Sequence, residues 1–188
     1  MTTITPENIY DFWFVETDPK SWFEKDPAFD AAIRNRFAPA IAAAREGRLR
    51  HWEDAAHASL ALIVAIDQFS RNVFRNSPLA WSHDARALAV SKQAVARRYD
   101  AGLSPDERKF LYMPFMHSEA LADQERCVEL FARLRDDDPE GNARSYESAV
   151  RHHEIIARFG RFPHRNAVLR RPSSAAEIAF LEEPNSSF

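Results

Sequence analysis

Apolar residues recur along this chain at spacings of three and four, the signature of helices that each bury one face. Phe29, Ile33, Phe37, Ile41 and Ala44 form one stripe, and Leu60, Ile63 and Val64 open a second. Leu88, Val95 and Tyr99 make a third, Leu121, Val128 and Phe131 a fourth, and Tyr146, Val150, Ile156 and Ala157 a fifth. No stretch alternates with period two for long enough to be a strand. Between the stripes stand helix-start signals. Thr5-Pro6, Asp26-Pro27, Ser77-Pro78 and Ser104-Pro105 each place a capping side chain before a proline at the first helical position. Ser104 with Glu107 and Ser174 with Glu177 have capping-box spacing, and Gly47, Gly102 and Gly160 stand where left-handed C-caps belong.

These marks predict helices at about 6–13, 27–46, 53–69, 83–100, 105–112, 115–134, 143–159 and 174–182. Pro39 is expected to kink or split the second helix, and Pro114 to separate the fifth from the sixth. About eight helices with short connections imply antiparallel neighbours in one compact all-α domain over residues 1–188, bundle-like or an α-solenoid-like superhelix. The tail 183–188 is expected to fray. One internal echo stands out: Phe69-Ser70-Arg71-Asn72 and Phe162-Pro163-His164-Arg165-Asn166 both put Arg-Asn just after a phenylalanine at a helix end. It is either a trace of duplicated helix pairs or a coincidence.

With 188 residues the chain can bury a core without covalent staples, and a formal net charge of -3 argues against a general nucleic-acid or membrane binder. The single cysteine, Cys127, allows no intrachain disulfide. No apolar run reaches membrane-spanning length and no secretory signal opens the chain, so a cytoplasmic location is expected.

The candidate chemistry lies in polar residues on faces that should be buried. Leu60–Ile66 is apolar on nearly every side, and Asp67 continues its stripe with Arg71 one turn on. A buried carboxylate must be paired or protonated. The pair is therefore either a clamp at the helix end or a carboxylate held for acid–base work. His117 and Gln124 interrupt the stripe of the sixth helix. On the seventh, the Tyr146–Val150–Ala157 face makes His153 the inward member of the His152-His153 pair. Residues 151–171 carry Arg151, Arg158, Arg161, Arg165, Arg170 and Arg171 against Glu154, a basic stretch suited to gripping a phosphate or carboxylate.

The blocks Asp67-Gln68-Phe69-Ser70-Arg71-Asn72, Phe110 to Glu119, Asp123-Gln124-Glu125-Arg126 and Arg158 to Asn166 resemble the signature blocks of the bacterial domain of unknown function 924 family. The resemblance runs from about Ile9 to Leu181, with one departure at Ser70, where the family usually has proline. It implies a helical fold similar to tetratricopeptide-like superhelices, and no settled activity.

Three functions compete. The first is a pocket for a small anionic molecule, with His117, His153 and Asp67 as acid–base groups and Arg71, Gln124, Arg161, His164 and Arg165 as ligand contacts. The second is a non-catalytic scaffold for a peptide or protein partner, with Trp13, Trp22, Trp52 and Trp81 lining a groove. The third, a metal site from His117, Glu119, His153 and His164, is disfavoured because His117 and Glu119 stand about 200° apart on a helix. No metal, no cofactor, no membrane and no nucleic-acid partner is expected.

Overall fold

The computed structural model describes residues 4–187, and every regular element among them is helical. The α-helices are α1 (Pro6–Tyr10), α2 (Pro27–Arg45), α3 (Ala56–Ile63), α4 (Phe69–Val73), α5 (Asp84–Ala96), α6 (Pro105–Met116), α7 (Leu121–Asp137), α8 (Pro139–Phe159), α9 (Asn166–Leu169) and α10 (Ala175–Leu181). Two π-helical turns, Asp11–Glu16 and Val64–Gln68, continue α1 and join α3 to α4. The chain forms two compact units. Among the described residues the first takes in 4–75 together with Leu79–Pro114, and the second comprises Asn76–Pro78 and 115–187.

In the first unit the stripe of α2 is buried as its spacing requires: Ile33, Phe37, Ile41 and Ala44 are all at most 2% exposed. Pro39 sits in α2 without ending it. The proline removes one ladder bond, and both Pro39 and Asn35 four residues back are exposed, so water can solvate the orphaned carbonyl. Asp26 caps this helix, its carboxylate accepting from Ala28 N at 2.7 Å. The apolar run Leu60–Ile66 is buried throughout and packs against α1 and α5. Each such Leu, Ile or Val contributes about 1.5–3 kcal/mol relative to exposure. Trp13 and Phe69 meet edge to face at 5.6 Å, as do Trp22 and Phe110 at 4.9 Å, and the Trp22 indole donates to Trp13 O at 2.9 Å. Trp13, Trp22 and Trp52 are therefore core residues, not the wall of a peptide groove.

The second unit is built on the α7–α8 hairpin, whose helices are separated only by Asp138. Asp138 caps α8 by accepting from Gly141 N, and Gly160, at φ +67°, ends the helix in the left-handed region that favours glycine. Gly47 is left-handed as well (φ +74°), whereas Gly102 is not. Beyond Gly160, Phe162 and Phe180 join Ile155 and Ile156 in a small apolar cluster. The Ser174–Glu177 capping box starts α10 as expected.

Two boundaries differ from the sequence reading. Helix α6 continues through Pro114 to Met116, and the interruption falls at His117–Ala120. The inward face of α8 is Asn142, Ala149, His152 and Ile155/Ile156, so His152 is the buried histidine, while His153 is only partly covered and Ala157 is exposed. One position along a helix is about 100° of rotation, enough to exchange the two histidines.

Candidate functional site

Asp67 and Arg71 lie in the first unit, and the other six expected site residues in the second. Asp67 is 1% exposed, on the π-turn between α3 and α4. Its Oδ1 lies 2.9 Å from Arg71 Nη1, and its Oδ2 accepts from the Gln68 amide. Arg71 also donates to Asp67 O at 3.0 Å. The i, i+4 pair exists as its spacing implies, but Arg71 carries a second carboxylate that local sequence did not disclose: Asp84, at the start of α5, binds it through both oxygens at 3.1 and 3.0 Å. Burial would drive the Arg71 pKa down, but Asp67 and Asp84 outweigh it and hold the guanidinium above its ordinary value.

In the second unit Phe162, fully buried, is the common neighbour. Its ring lies 5.5 Å from His152 and 5.6 Å from His164, and the Arg165 guanidinium sits 4.5 Å from its centroid. Its backbone is held from both sides. The N–H donates to Glu119 Oε1 at 2.8 Å, and the carbonyl accepts from Arg171 Nη2 at 3.0 Å. Arg171 grips Glu119 bidentately at 2.8 and 3.0 Å. Burial raises the Glu119 pKa, yet the Arg171 hydrogen bonds and the Phe162 N–H prevail and hold it below the usual carboxylate range. Arg165 donates to His117 O at 3.2 Å, which ties the α6–α7 interruption to this cluster.

Burial, then the Arg165 charge, push the His164 pKa down to about 4. Burial also pushes the His152 pKa down to about 3, opposed by the Ser148 carbonyl and assisted by His117, Arg165 and His164. Both imidazoles are neutral at pH 7. The His152 Nδ1 faces Ser148 O at 2.7 Å; a carbonyl only accepts, so Nδ1 carries the proton and Nε2 is the basic atom.

The remaining expected contacts have other duties. Gln124 is completely buried, and its amide nitrogen donates to Met116 O at 2.7 Å, Ser118 O at 2.6 Å and Phe115 O at 3.3 Å. It caps the end of α6. Arg161 donates to Glu177 at 2.6 and 2.8 Å and to Pro172 O at 2.8 Å. That guanidinium is engaged in fastening α10. Sequence placed Arg171 only in a basic stretch and Glu119 only among candidate metal ligands. Their pairing left no local signal because they are 52 positions apart, and the buried place given to His153 belongs to His152.

Cys127 is buried, and burial pushes its thiol pKa far up, so it is a packing residue and not a nucleophile. Among the described residues no three of His, Cys, Asp and Glu are grouped so as to hold a metal ion, and no helix is long and apolar enough to cross a membrane.

These features define an all-helical protein with a polar cluster inside its second unit. Residues 9–185 match the model of a bacterial protein family of unknown function (DUF924), and the chain belongs to that family. The solved structure of ATU0120, a protein of unknown function from Agrobacterium tumefaciens, is similar over 94% of this chain and 96% of that one, with 38% identity and a TM-score of 0.85. No curated protein matches the chain.

Proposed function

We propose that the second unit binds a small anionic molecule, a phosphate or carboxylate, at the cluster of Arg165, His164, His117 and His152. The observation that carries this reading is the gathering of two imidazoles and a guanidinium around the single ring of Phe162. The fixed charges felt by His164 are Arg165, Arg171 and Glu119, so the local field is net positive and favours a bound anion. Neutral imidazoles can then donate one hydrogen bond and accept a proton.

Within this reading the acid–base role expected of His153 passes to its buried neighbour His152, and His117 keeps its place. Gln124 and Arg161 support the backbone around the ligand instead of touching it. Asp67 with Arg71 is a separate candidate acid–base group of the first unit.

The test is a thermal-shift titration of the intact protein with inorganic phosphate and citrate, against chloride at equal ionic strength. A saturable rise in Tm is expected for the native chain. Arg165→Gln and His164→Gln should each abolish it, while Arg36→Gln, a surface arginine paired with Glu16, should not. Equal shifts in all four proteins, or no saturable shift in any, would end the proposal.

A further inference from the structure

The first unit contains a cavity of about 270 Å³ lined by Ala38, Ile41, Ala42, Arg45, Glu46, Val73, Phe74 and His83. No sequence signal singled it out, and it shares no residue with the cluster around Phe162. Its wall is mostly apolar, and its polar end is built around Arg45. The guanidinium lies 4.6 Å from the centroid of the Phe74 ring. Its Nε donates to His83 Nδ1 at 3.0 Å, and its Nη2 to Ser82 Oγ at 2.8 Å and Leu79 O at 3.5 Å.

All of these acceptors are uncharged. Among the described residues no carboxylate is within ion-pair distance of Arg45, and none of its hydrogen bonds uses Nη1. Glu46, which also lines the cavity, is held by Arg48 at 2.6 Å. The contrast with other arginines is clear. Arg36 and Arg161 have pKa values raised by hydrogen bonds to their carboxylates, whereas burial lowers that of Arg45. His83 is lowered by burial and by Arg45, so it is neutral. Its Nδ1 is the acceptor for Arg45, which leaves the proton on Nε2 as a donor.

We infer that this cavity is a binding site for a small amphipathic monocarboxylate, its carboxylate on Arg45 Nη1 and His83 and its hydrocarbon against Ile41, Val73 and Phe74. One cation with open donors matches one negative charge; a dianionic phosphate would leave an uncompensated charge beside Glu46. The volume sets the size. A dry cavity of about 150 Å³ holds one benzene, so this space suits a ligand of roughly ten non-hydrogen atoms.

The experiment is calorimetric titration of the intact protein with octanoate, octanol and inorganic phosphate. Saturable binding of octanoate is expected, with octanol at least about tenfold weaker. Arg45→Gln should weaken octanoate by a similar factor. Ala42→Trp, at an exposed helical position that lines the cavity, should block it without disturbing the core. Arg165→Gln should leave octanoate binding intact, which separates this site from the cluster in the second unit. The inference is overturned if octanoate fails to saturate, if octanol binds equally well, if phosphate displaces octanoate at comparable concentration, or if Ala42→Trp binds as the native chain does.

Discussion

The Gln124 amide donates to Met116 O at 2.7 Å, so a side chain of α7 closes the end of α6. Two further carbonyls, Phe115 and Ser118, share the same nitrogen. This arrangement explains why a fully buried polar residue is tolerated: the last carbonyls of a helix lack internal partners and need donors from elsewhere. Replacing Gln124 with Leu would leave them buried and unsatisfied. A loss of about 1–3 kcal/mol is expected in urea unfolding. Gln124→Glu should cost more, because a carboxylate cannot donate to a carbonyl. A Leu variant as stable as the native chain would show that the capping role is wrong.

Arg71 bridges Asp67 and Asp84, which makes the two acids energetically interdependent. Asp67→Asn or Asp84→Asn alone leaves Arg71 with one carboxylate. The double variant leaves a largely buried guanidinium with neither. The double loss of stability should therefore exceed the sum of the single losses by about 0.5–3 kcal/mol. Strict additivity in the unfolding cycle would mean that Arg71 does not couple them.

His152 gives stability a pH dependence whose sign is fixed by its depressed pKa. Above the ordinary histidine value of 6.5 it is neutral whether folded or unfolded. As pH falls below 6.5, the unfolded chain takes up a proton that the folded chain refuses until about pH 3, so stability declines. The limiting slope is about 1.4 kcal/mol per pH unit for one such group. His164, with a pKa of about 4, adds to it in the same direction. His152→Gln can keep the donor to Ser148 O while removing the titration, and should flatten the decline between pH 6.5 and 5. Superimposable profiles for the two proteins would refute this.

Periodicity carried the helical class because an amphipathic stripe is a local property. Ile33, Phe37 and Ile41 could be placed inside from spacing alone, and so could Asp67, which continues a stripe apolar on almost every side. The same reasoning failed on α8. Tyr146 and Val150 form a plausible stripe but are only partly covered, and the true inward face runs through Asn142 and His152, polar residues that a hydrophobic pattern cannot mark. At Pro114 the rule that the residue before proline avoids helical geometry was overridden, and α6 runs on through it to the residues that Gln124 caps. Of the site, residue types were legible but partners were not. The arginines of 151–171 stood out as a charged stretch, yet the arrangement around Phe162 depends on Glu119 and Arg171 meeting across 52 positions. Arg45 and His83, 38 apart, left no mark for the same reason.

Ligand binding in the second unit should be coupled to proton uptake. An anion within hydrogen-bond distance raises the pKa of a nearby imidazole by about 1–3 units. His164 would move from about 4 toward the range titrated near pH 5.5, while His152 starts lower, at about 3, and would follow less completely. Binding of phosphate or citrate at pH 5.5 should therefore take up a fraction of a proton, and affinity should rise as pH falls from 7 to 5.5. Calorimetry in two buffers of different ionisation enthalpy measures that fraction directly, once the ligand's own titration is subtracted. At pH 8 the uptake should vanish, because even the raised values lie below the solution pH. His164→Gln, which loses the anion, should show no uptake at pH 5.5. An anion that binds with no proton exchange at pH 5.5 would place it away from these imidazoles, and the cluster around Phe162 would then be a structural core alone.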